Sequence, residues 1–134
     1  LKSENDFVIV NIHWGTEYLL VETSEQVVVA HGLIDSGASV IFGHHPHVVE
    51  PVRIYKGKAI FYSLGNFVFD QNFGDTTTGL GAGVEFGQDK TTFTLFPFKI
   101  KLFAPDFLEN VEKTKFCENF LKNIEHTDCS FNVQ

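Results

Sequence analysis

Hydrophobic positions along the first half of the chain follow two alternating periods. "DFVIVNIHWG" (residues 6–15) is a short apolar run ended by glycine, the pattern of a buried parallel strand. In "TSEQVVVAHGLIDSG" (residues 23–37), Val27, Ala30, Leu33 and Ile34 recur at helical spacing, with Ser24 placed to cap the start and Gly37 the end. "ASVIFG" (residues 38–43) returns to the continuous apolar type. Strand, helix, strand in this order predicts a βαβ unit. A further strand follows over Ala59–Ser63, closed by the turn "LGN".

Beyond residue 70 the pattern changes. "FGDTTTGLGAG" (residues 73–83) is rich in glycine and threonine and predicts a loop. "GVEFG" and "KTTFTLFPFKIKLF" (residues 83–87 and 90–103) predict two antiparallel strands, with Pro97 marking an edge or a bulge in the second. From Pro105 to Glu125, a stripe of Phe107, Leu108, Val111, Phe116, Phe120, Leu121 and Ile124 predicts a C-terminal helix. The fold class is α/β: a βαβ start, more antiparallel strands, then a helix.

Composition narrows the function. At 134 residues with 43% hydrophobic content, the chain is the size of one domain with a real core. Absence of an initiating methionine suggests that it begins inside a longer protein. A formal charge of −7 without a basic patch argues against nucleic acid as a partner. No stretch is long and apolar enough to predict a membrane span. Cys117 and Cys129 form neither a CxxC pair nor a disulfide framework, and the expectation is free thiols or incidental residues.

The chemistry concentrates in "VIFGHHPHVVEP" (residues 40–51), where His44, His45 and His47 follow directly on a predicted strand. His13 follows another. In an open α/β sheet the ligand crevice lies beyond the carboxyl ends of the strands, so both groups fall at one edge. Imidazole is the commonest side-chain ligand of metals. In an extended loop His45 and His47 share a face, and Pro46 biases His45 towards extended backbone. The candidate ligands are therefore His13, His45 and His47, with His44 pointing away from its two neighbours. The same residues also read as loop and capping positions, His13 above all. His31 and His126 read as surface residues. Asn66 closes a third strand and is a candidate pocket-lining residue beside His44. Asn11 reads as a turn former, Asp70 caps a turn or faces the pocket, and Glu17 and Tyr18 either line the cleft or cover it. "GLGAG" precedes a strand and is not a dinucleotide fingerprint.

"NIHWGTEY" and "LIDSGASVIFGHHPHVVEPVRIYKGKAIFYSLGNFVFD", with Gln26 between them, resemble the CapA family of poly-γ-glutamate (capsule) synthesis proteins. That family is similar in turn to the calcineurin-like metallophosphoesterases. The resemblance runs from Asp6 to Asp70; from Gln71 onward only the strand-and-helix character agrees. It implies a layered α/β sandwich with divalent metal ions (manganese, zinc or iron), two in the complete domain. His13 matches the superfamily's lone histidine, and His45 and His47 its His-x-His pair. There are two departures. "VETSEQ" lacks the family's proline before Gln26, and the family's upstream half, with its aspartates, is not in these 134 residues. The resemblance thus implies that residues 1–134 are the C-terminal portion of one domain, whose other half would complete the metal site.

Two functions follow from the resemblance. One is a metal-dependent, phosphoesterase-like hydrolase of capsule or poly-γ-glutamate synthesis, incomplete in this chain and acting on an anionic polymer or a phosphoester. The other is a non-catalytic component that binds or exports the polymer at the cell envelope.

Overall fold

The computed structural model describes residues 7–134. Asp6, the first residue of the first predicted strand, lies outside them. The chain divides into two compact units, Leu1–Gly65 and Asn66–Gln134.

The first unit contains β1 (Ile9–His13), α1 (Ser24–Asp35), β2 (Val40–His44), β3 (Val49–Tyr55) and β4 (Lys58–Leu64). Its sheet has the order β1-β2-β4-β3, with β1, β2 and β4 parallel and β3 antiparallel to β4. The predicted βαβ unit is β1-α1-β2. Ala30 and Ile34 of α1 pack with Ile41, Ile60 and Tyr62, and partly buried Val10, Ile12 and Trp14 extend this cluster. The helix begins at Ser24, the predicted cap, so the cap itself falls one residue earlier. Thr23 is the N-cap: its hydroxyl accepts from the Gln26 backbone N–H, and its own N–H donates to the Gln26 side chain, a capping box.

Gly43, just before the histidines, has no room for a side chain. A Cβ there would stand 1.9 Å from the Tyr62 carbonyl oxygen and 2.5 Å from Trp14 Nε1. The space is taken because the indole N–H donates to that same carbonyl at 2.8 Å. Gly43→Ala is expected to cost about 3 kcal/mol, the upper end for overpacking, since the obstructing atom is backbone. Urea denaturation checks this.

The second unit contains β5 (Thr78–Phe86), β6 (Thr91–Lys101), β7 (Ala104–Phe107), α2 (Asn110–Phe120), β8 (His126–Thr127) and β9 (Ser130–Val133). The order is β5-β6-β9-β8, with β7 also pairing with β6, all antiparallel. Four expectations need correction here. Residues 78–83 are strand rather than loop. Gly81 and Gly83 lie against the Phe96 ring, which supplies the packing they lack. Pro97 marks neither an edge strand nor a bulge: β6 is central, and its register against β5 is unbroken from Lys99 to Thr91. The proline is tolerated because its nitrogen side faces the interval between β9, paired to Thr91–Thr94, and β7, paired to Phe98–Lys101. There its carbonyl accepts from the Leu108 N–H at 2.9 Å. The C-terminal helix is only Asn110–Phe120; Phe107 belongs to β7 and packs edge-on against Phe98.

The last correction concerns the cysteines. Cys117 of α2 and Cys129 of the β8–β9 turn are joined in a disulfide, with Cα atoms 5.2 Å apart. The hairpin returns the chain to the helix, a juxtaposition that the spacing of two cysteines does not display. Nearby, Phe93 and Phe131 stack at 5.1 Å in the buried interior of this sheet.

Candidate metal centre

The parallel register of β1 and β2 places His13 beside His44 at the carboxyl ends of both strands. Two backbone bonds tie the segments that follow: the Trp14 N–H donates to the His44 carbonyl at 3.0 Å, and the Tyr18 N–H to the Pro46 carbonyl at 2.8 Å. The loop after β1 is thereby held along "HHPH", and the side chains gather. The His13 and His45 rings lie 4.6 Å apart and the His45 and His47 rings 6.0 Å apart. Tyr18 stacks on His47 at 6.1 Å.

Glu17 completes the corner. Its carboxylate lies 4.0 Å from His47 Nε2, and ligand atoms of Glu17, His45 and His47 all fall within 4.8 Å of one another. His13 stands outside that set, against the His45 ring. Sequence reasoning left Glu17 undecided; its position depends on Tyr18, whose φ of 66° turns the chain back towards Pro46.

The expected extended backbone at His45 is not found. His45 has φ of 103° and His47 of 61°, both in the region that L-residues rarely adopt. Pro46 forbids helical backbone at His45 but does not enforce a straight strand. Three residues of positive φ (Tyr18, His45 and His47) in one corner store strain of about 1–3 kcal/mol each.

His44 is half-buried. Burial, and then the neighbouring His13, hold its imidazole below the usual range. Asn66 belongs to the second unit, where its amide donates to the Gln71 side chain at 3.1 Å and the Thr76 carbonyl at 3.2 Å. His31 is not a bare surface residue, since it stacks on Tyr55 at 3.6 Å. His126, half-buried in β8, approaches the Ile124 carbonyl through Nδ1 at 2.7 Å.

Behind the corner sits a buried polar pair. Gln26 Nε2 donates to Glu50 Oε2 at 2.8 Å, and the Glu50 side chain is 0% exposed. Its Oε1 is the one buried side-chain oxygen or nitrogen without a hydrogen bond among the described residues. Burial pushes the Glu50 carboxyl up from its ordinary value. A raised carboxyl pKa penalises the folded state only when the group ionises. The penalty is absent below the ordinary carboxyl range and complete above the raised value. Glu50→Gln is therefore expected to gain stability relative to the native chain as pH rises from about 4 to about 8. Urea midpoints at the two pH values check the sign.

The donor set suits a divalent ion: two imidazoles and a carboxylate match zinc or manganese. Bonds of about 2.0–2.2 Å would require the three donors to close in by about 1 Å. Glu17 is exposed and on a loop, so it has the freedom to do so.

Residues 1–71 match the family described as bacterial capsule synthesis protein PGA_cap. Over 72 residues, 54% of the chain, it is 51% identical to "PGA biosynthesis protein CapA" of Bacillus subtilis. It is 50% identical to "Capsule biosynthesis protein CapA" of Bacillus anthracis over the same length. A "probable polyglutamine synthesis accessory protein" of Mycobacterium tuberculosis is 39% identical over 69 residues. The matched segment amounts to only 18–19% of each relative. Residues 1–71, which match the family, include His13, Glu17, His45 and His47 together with Gln26 and Glu50. The chain belongs to the PGA_cap family of bacterial capsule synthesis proteins.

Proposed function

We propose that this chain carries a divalent-metal corner used in capsule or poly-γ-glutamate synthesis, with hydrolase-like chemistry on an anionic polymer or a phosphoester. The observation that supports it is the convergence of Glu17, His45 and His47 donors within 4.8 Å, with His13 against His45. The names of the Bacillus relatives support the biosynthetic setting.

His45 and His47 would hold the ion as neutral imidazoles, and Glu17 would supply the carboxylate that offsets its charge. A bound ion supplies Lewis-acid polarisation of a phosphoryl or acyl oxygen and of water. His13 lies against the His45 ring, the nearest further imidazole to that set. The acidic chain repels polyanions at long range, so the ion is the natural point of attachment for one.

Calorimetric titration of the chain with Zn²⁺ or Mn²⁺, followed by a generic phosphodiester assay, tests this reading. Stoichiometric binding is expected, with turnover measured on residues 1–134 and on the same residues joined to the upstream segment of a longer Bacillus relative. Binding of neither ion in either form would end it.

A further inference from the structure

Two segments carry the donors of the corner: residues 14–18 after β1, and residues 45–48 between β2 and β3. Both lead to one buried contact. Glu50 lies on β3 three positions after His47, and its carboxylate accepts from Gln26 Nε2 at 2.8 Å. Gln26 is pressed in turn against Gly15, where a Cβ would stand 2.7 Å from Nε2 and 2.9 Å from Cδ of the amide. Gly15 has φ of 89°, so the chain turns there between His13 and Glu17. The other end of the amide accepts from the Thr23 N–H at 2.8 Å and so fixes Gln26 to the start of α1.

We propose that Gln26 and Glu50 are positioning residues of the metal corner: their buried contact braces Gly15 on one side and β3 on the other. It thereby sets the distance between Glu17 and the His45–His47 pair. This rests on the metal reading above. A buried carboxylate with one oxygen unpaired costs stability, by about 1–3 kcal/mol or more for a charged group. An apolar contact between α1 and β3 would hold the fold without that cost. The carboxylate does what an apolar side chain cannot: it orients the Gln26 amide in one direction, with Oε1 towards Thr23 and Nε2 towards β3.

The test is zinc affinity of the folded chain, with Co²⁺ absorption reporting the coordination geometry. Glu50→Ala is expected to weaken Zn²⁺ binding roughly tenfold, the low end for residues that act through a ligand's support. It should also alter the Co²⁺ d–d bands. Glu50→Gln keeps an acceptor for Gln26 Nε2 and should restore affinity to within about threefold and return the native spectrum. Gln26→Met, close in volume but without the amide, should repeat the Glu50→Ala result. Ile34→Val, in the core on the far turns of α1, controls for general destabilisation and should leave both readouts unchanged.

Folded Glu50→Ala with native affinity and spectrum would overturn the proposal and leave the metal reading intact. If the native chain binds no Zn²⁺, the metal reading fails first. If Glu50→Ala and Gln26→Met both fail to fold while Glu50→Gln behaves as native, the pair serves folding alone, and the proposal is overturned.

Discussion

Replacement of His45 and His47 together by alanine is expected to abolish the proposed zinc binding, the largest effect of any change in the first unit. Two of the three converging donors disappear, leaving Glu17 with His13, and a carboxylate and one imidazole on separate turns do not close around an ion. A loss of at least roughly 100-fold is expected, since changes to supporting residues alone reach that size. The fold should tolerate the change, because neither ring belongs to the buried cluster of Ala30, Ile34, Ile41, Ile60 and Tyr62. Alanine is still strained at φ of 103° and 61°, so a modest fall in stability should accompany the loss. Calorimetry on both proteins, with circular dichroism to verify folding, measures the effect. Undiminished binding in the double variant would make "HPH" a structural turn and nothing more.

Opening the disulfide is expected to cost the second unit about 3 kcal/mol, the loop-closure value for a bridge of this span. Cys117 and Cys129 are twelve residues apart in sequence. The bridge secures a two-residue strand and a four-residue strand to a helix of three turns, elements too short to persist alone. Its loss should loosen β9 from β6 and unstack Phe131 from Phe93. Urea unfolding of Cys129→Ser against the native chain, and of the native chain with and without reductant, gives the magnitude. Two reactive thiols in the non-reduced, denatured protein would show that the bridge does not form.

The first unit was the more legible in sequence because local and global signals agree there. The run at Val40–Gly43, the stripe of α1 and the strand at Ala59–Ser63 each have the period that their burial requires. The histidine corner could be placed at one sheet edge because parallel strands bring their carboxyl ends together. Glu17 could not be assigned, since a left-handed tyrosine is invisible in a sequence. Nor could Glu50: a buried glutamate reads as an ordinary polar residue of a strand until its partner is known. In the second unit the misreadings share a cause, for partners distant in sequence decide the outcome. Gly81 and Gly83 become strand by courtesy of Phe96, and Pro97 fits a central strand because its neighbours leave an interval. Phe107 follows β6 rather than a helical stripe.

The parallel ladder of the first unit bears on the order in which the chain folds. Ile9 must find Val40, and Phe42 must find Phe61, before either pair contributes anything, and α1 must already span the first of these gaps. Closing such loops precedes the contacts that reward it, which makes the ladder slow. β5 and β6, by contrast, meet across a short turn from Phe86 to Thr91, and a hairpin of that kind closes within about 1–10 μs. The half of the chain that bears the histidine corner is thus the half that folds last, and a metal ion arriving early would meet histidines not yet gathered.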